Sequence, residues 1–146
     1  MNAFLVVATL TASAVSAGLG GDQAVGVRGQ LMCGSVPLVG AQVKLWELDR
    51  WPNPDDLLAA TETDEEGRFE VKGNEDDFPQ INPVIKFYHR CNDKSRILGI
   101  PGICKRKNVY EIPSEYINQG RIPLQYYDMG ILNMEAKQRG EETECM

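Results

Sequence analysis

Apolar residues in this chain recur at every second position, in short runs that glycine and proline keep breaking. In "AVGVRGQLMC" Val25, Val27, Leu31 and Cys33 fall on one side. In "AQVKLWEL" Ala41, Val43 and Leu45 take one side, Trp46 and Leu48 the other. In "VIKFYHRC" Ile85, Phe87, His89 and Cys91 share a face. A period of two belongs to an extended strand with one buried face, and the β-branched and aromatic content suits a strand. "LLAATET" reads as a short strand. "TDEEGRFEV" reads as a turn feeding a strand, with Gly67 free to take positive φ and Phe69 and Val71 pointing inward. "KNVYEIP" is a further strand ended by Pro113, "PSEYI" one helical turn, and a last strand or pair lies within "LQYYDMGILNMEA". The tail "KQRGEETECM" is expected to be mobile except where Cys145 ties it down. Seven or eight short strands separated by turn signals predict an all-β sandwich with Greek-key connections.

The first residues, "MNAFLVVATLTASAVSA", hold no charged side chain, and Val15 and Ala17 sit like the small residues before a signal-peptidase cut. Residues 1–17 are expected to be a cleaved signal peptide and residues 18–146 a single secreted, extracellular domain. The apolar run is shorter than the roughly 20 residues a spanning helix needs, so an integral membrane protein is not expected. The four cysteines, Cys33, Cys91, Cys104 and Cys145, all follow that segment. An even count in a secreted chain reads as a disulfide framework, which a domain of this size needs for stability. The short connection between the strands ending at Cys91 and beginning near Lys105 predicts a Cys91–Cys104 bridge. Cys33–Cys145 is then what remains.

Several of these stretches together resemble the nematode transthyretin-like family. They are "VGVRGQLMCGSVPLVGAQVKLWELD", "LLAATETDEEGRFEVKG", "INPVIKFYHRC", "CKRKNVYEIP" and "YYDMGILNMEA", in the family's order and with all four cysteines. The resemblance implies a small secreted transthyretin-type (prealbumin-like) sandwich. It also implies extracellular recognition of exposed anionic phospholipid or of a cell-surface receptor. The related hydroxyisourate hydrolases carry several histidines and a terminal Tyr-Arg-Gly-Ser signature. This chain has one histidine and ends "ETECM", so no enzyme is expected. Nothing here matches the hormone channel of transthyretin.

The formal net charge of −6 argues against nucleic acid as partner. Against that background Arg90 to Lys107 holds six basic residues, Arg90, Lys94, Arg96, Lys105, Arg106 and Lys107, and one acid, Asp93. These six are the candidate binding residues. They would form an anion-facing surface on the flanks of a loop with Ile97, Leu98 and Ile100 at its tip; the loop could equally tuck its isoleucines into the sandwich. Alternation sets Lys105 and Lys107 on one face and Arg106 on the other. Trp51, beside Pro52, is a further candidate contact, because aromatics are enriched in binding hot spots. His89 reads as a packed or hydrogen-bonded structural histidine rather than a catalytic base or metal ligand. "DEEG" and "EDD" lack the ligand spacing of a calcium loop and read as solvated turns. No cofactor and no metal is expected. The functional reading is a secreted binding or adaptor module for anionic phospholipid or a receptor. The alternative is a secreted carrier of a small apolar ligand.

Overall fold

The computed structural model describes residues 21–94 and 96–145, the side chain of Arg96 excepted; the expected signal peptide lies outside the described residues. Strand β1 (Asp22–Cys33) organises the first sheet. It pairs antiparallel with β5 (Arg68–Asp76) and parallel with β11 (Tyr126–Asn133), and at its ends with β2 (Val36–Pro37) and β10 (Asn118–Gln119). The second sheet runs β12 (Glu142–Cys145), β9 (Cys104–Glu111), β6 (Pro83–His89), β3 (Gln42–Glu47), β4 (Asp56–Glu62), every pair antiparallel. A small hairpin, β7 (Arg96–Ile97) with β8 (Ile100–Pro101), sits between β6 and β9. The chain changes sheets after β2, after β4, after β5, after β9 and after β11, so it builds both layers at once.

The inward positions are those that alternation selects. Val25, Val27, Leu31, Val43, Leu45, Phe69, Val71, Ile85 and Phe87 are buried in one core. Phe69 of the first sheet meets Phe87 of the second edge-on at 5.2 Å between ring centroids. Gly67 takes φ 76°, and a Cβ there would collide with the carbonyl oxygen of Leu31, so no other residue fits this turn. The tail differs from expectation. Residues 142–145 form an ordered edge strand whose backbone pairs with β9, Glu142 opposite Lys107 and Glu144 opposite Lys105.

The disulfide pairing differs as well. The bridges are Cys33–Cys91 and Cys104–Cys145, not Cys91–Cys104 and Cys33–Cys145. The β6–β9 ladder stops at His89 opposite Arg106. There the chain turns, with Asp93 N–H donating to the Arg90 carbonyl and Asn92 at φ 49°. The turn carries Cys91 out of the ladder to the end of β1, where it meets Cys33. Cys104 is left facing Cys145 across the β9–β12 pair. One bridge therefore joins the two sheets and the other clips an edge strand.

Candidate functional site: the outer face of the second sheet

Each strand of the second sheet turns one side to the core and the other to solvent. The outward side chains of the three central strands are Gln42, Lys44 and Trp46 on β3, Lys86 and Tyr88 on β6 (Val84, at the same register, is buried), and Lys105, Lys107, Val109 and Glu111 on β9. Arg90 follows β6 and is exposed. Five of these groups are basic and only Glu111 is acidic. In register, Lys44 lies directly opposite Lys86. Like charges so placed destabilise a sheet. Each ammonium leans away onto an aromatic ring, Lys86 over Trp46 at 4.9 Å and Lys44 over Tyr88 at 5.1 Å from the ring centroid. Such contacts are worth about 0.5–1 kcal/mol at exposed sites and hold the charges at the surface.

At the upper end of this face lies a groove of about 540 Å³, lined by Cys33, Val36, Val39, Tyr88, Arg90 and Lys105 among others. Lys105 donates to Gln42 Oε1 at 3.0 Å. Val36 and Val39 are exposed on its rim. Beyond it the hairpin presents Leu98, 96% exposed, and Ile100, with Ile97 half-buried. The isoleucines do not tuck together into the sandwich.

The six basic residues singled out from sequence do not act as one set. Arg90 and Lys94 are exposed; the Arg96 side chain is outside the described atoms. Lys105 and Lys107 share the outer face, as alternation requires, and Lys107 lies within 3.8 Å of Glu144 and 3.9 Å of Glu142 on the edge strand. Arg106 points the other way and is buried, so it is no part of an anion-facing surface. Its guanidinium grips Glu141 through Nη2 at 2.7 Å and Nε at 3.0 Å and donates to the carbonyls of Cys91 and Ala136. Trp51 is 92% exposed, but it follows β3 at the end of the sheet opposite the groove and does not join the basic face.

His89 is structural. The Cys91 N–H donates to its Nδ1 at 3.1 Å, and Nε2 lies 2.8 Å from Asn108 Oδ1. Asn108 in turn donates to Glu141. That chain of donors assigns the neutral tautomer with its proton on Nε2. Burial lowers the imidazole's affinity for a second proton, although the bond to Asn108 opposes this. Burial alone would raise the Glu141 carboxyl, but hydrogen bonds from Arg106 and Asn108 outweigh it and hold it below the usual carboxylate range. Sequence reading missed Lys44, Lys86, Trp46 and Tyr88. Their signal was present, since the polar half of the alternation in "VKLWE" and "VIKFYH" is lysine and aromatic.

The model of the transthyretin-like family matches residues 28–113, more than half of the chain. Transthyretin-like protein 5 of Caenorhabditis elegans is 40% identical over 128 residues, 88% of each chain. Transthyretin-like proteins 46 and 33 of the same organism are 38% and 35% identical, covering 86% and 85% of this chain and 67% and 82% of their own.

Proposed function

The chain belongs to the transthyretin-like family, and we propose that it is a secreted extracellular binding module whose outer second sheet meets anionic phospholipid headgroups. The observation that carries the reading is the run of cations on β3 and β6, next to Lys105 and Lys107 of β9, which Glu144 and Glu142 of the edge strand partly offset; lysine faces lysine across the β3–β6 pair. A sheet selected for stability alone would place opposite charges there. The exposed Leu98 and Ile100 beside Arg90 and Lys94 add an apolar tip to a basic flank. The chain's acidic balance does not cancel this field, because charges beyond roughly 8 Å are screened at physiological salt. Secretion rests on the apolar leader of residues 1–17, with the domain spanning 18–146, and agrees with two disulfides in so small a domain. A non-enzymatic role agrees with His89 spending both ring nitrogens on structure. The carrier reading is less favoured: Phe69, Phe87, Leu31, Leu45 and Ile85 fill the space between the sheets, and a ligand would have to displace them.

Flotation with liposomes tests the proposal. The wild-type protein is expected to float with phosphatidylserine vesicles and not with phosphatidylcholine vesicles. The Arg90→Gln/Lys105→Gln variant should bind about 30-fold more weakly, at roughly 1 kcal/mol per basic residue near an anionic surface. If wild-type protein shows no preference for the anionic vesicles, the lipid reading fails and a receptor protein becomes the partner of this face.

A further inference from the structure

At the opposite end of the second sheet the inward alternation Ala41, Val43, Leu45 continues to an acid. Glu47 is 1% exposed, and neither of its carboxylate oxygens has a hydrogen-bond partner. An unpaired carboxylate sealed from water is costly unless something positive reaches it. Two more carboxylates converge on it. Asp49 lies just beyond β3, and Asp77 lies in the loop between β5 and β6; both are half-buried. The ligand oxygens of Glu47, Asp49 and Asp77 all lie within 4.8 Å of one another. That spacing is about twice a calcium–oxygen distance of roughly 2.4 Å, so one ion can touch all three. The two aspartates are held in place by their own loops, Asp49 Oδ1 accepting from Arg50 N–H and Asp77 Oδ1 from Phe78 N–H.

We propose that Glu47, Asp49 and Asp77 form a binding site for a hard divalent cation, calcium in particular. The ligands are all oxygen, which excludes a preference for soft metals. Three carboxylates in a partly irregular loop cluster give the variable geometry that calcium accepts and magnesium resists. The adjoining cleft of about 500 Å³, lined by Asp49, Asn53, Asp77, Ile81 and Asn82 among others, offers room for the waters and carbonyl oxygens that complete six to eight ligands. Asp77 ends the stretch that reads as a solvated turn in the sequence, and the structure half-buries it. The bound ion would fix the connector carrying Trp51 to the loop carrying Phe78, two exposed aromatics that follow Asp49 and Asp77 closely in the chain.

Calcium alone, titrated calorimetrically into the chelator-stripped full-length protein, tests this directly. One saturable site per chain is expected, with a dissociation constant on the order of 0.1–1 mM, the range of extracellular modules. Thermal unfolding should shift upward by a few degrees at saturating calcium and less at equal magnesium. Glu47→Gln should abolish both responses. Should that buried change prevent folding, Asp77→Asn, on the loop, is expected to weaken binding on the order of tenfold while the fold persists. A folded wild-type protein with no saturable heat and no thermal shift overturns the site. So does a Glu47→Gln or Asp77→Asn variant that binds calcium as the wild type does.

Discussion

On the outer face of the first sheet Arg28 stands between two acids, opposite Glu70 on β5 and opposite Asp128 on β11. On the outer face of the second sheet Lys44 stands opposite Lys86. Both faces satisfy the rule that the solvent side of a strand is polar. At these central positions only the first satisfies the finer rule that cross-strand neighbours attract; at the margins the first sheet sets Asp22 opposite Asp76, and the second sets Lys105 and Lys107 opposite Glu144 and Glu142. The Arg28–Asp128 pair, at 3.3 Å with both side chains about half exposed, neutralises its own surface. The lysines of the second sheet are instead held apart on Trp46 and Tyr88, and their charge stays available to a partner. The two faces thus differ in register at their centres, and on the proposed function the conflict with stability marks the binding face.

Removing the strut between the faces has the largest expected effect. Cys33→Ser/Cys91→Ser opens a bridge that closes 58 residues, and the chain-entropy account puts its loss at about 4 kcal/mol. The denaturant midpoint of the variant measures it, and the Arg90–Lys105 groove should lose its floor with it. Next comes the contrast between the two arginine ion pairs. Arg106–Glu141 has side chains only 10% and 6% exposed. Glu141→Gln strands a buried guanidinium, and a loss of about 2–3 kcal/mol is expected, below the deep-interior range because the Cys91 and Ala136 carbonyls still accept from Arg106. Asp128→Asn on the first sheet should cost under about 1 kcal/mol. Equal losses in urea titrations of the two variants would erase the distinction.

The same buried network sets the pH response. The folded protein binds a proton to His89 less readily than the ordinary value of 6.5, and to Glu141 less readily than a free glutamate. At these two groups the unfolded chain binds more protons, so their contribution to stability falls as pH falls; Glu47, whose carboxyl burial and Asp77 push up to about 8, contributes with the opposite sign between about 4.5 and 8. The histidine contribution begins to be lost as pH drops below about 6.5, and the Glu141 contribution below about 4.5, down through its folded-state value. The difference in urea midpoint between wild type and Glu141→Gln, in which the shared Glu47 and His89 responses cancel, should shrink as pH falls below about 4.5.

Much of the sandwich is legible from alternation, because one face of nearly every long strand is buried and a period of two reports that directly. Gly67 is legible for a similar local reason. The disulfides are not, since the side-chain direction of Cys91 depends on a turn at Asn92 and on a tail strand whose polar sequence hides its pairing with β9. The basic face is only half legible. A contiguous count finds residues 90–107, whereas Lys44 reaches that surface from a strand far away in sequence. That count also includes Arg106, which the same period of two turns into the core. Glu47 lies on the apolar face that alternation defines, and only burial reveals that it is sealed in.

The smallest expected effect is the most diagnostic of the lysine pair. Lys86→Glu replaces a repulsion with an attraction to Lys44 and forfeits the contact with Trp46. These terms offset, so stability should change by no more than about 0.5 kcal/mol. A large change by thermal unfolding would mean that the lysines serve the fold.

The central claim is that charge on one sheet, rather than charge in general, engages an anionic surface. Two variants remove two positive charges each from opposite sheets, Lys44→Gln/Lys86→Gln from the second and Arg28→Gln/Lys72→Gln from the first. Their affinities for phosphatidylserine vesicles, measured side by side at physiological salt, decide the matter. The account predicts a loss of about 30-fold for the second-sheet variant and little change for the first-sheet variant; equal losses, or none in either, would contradict it.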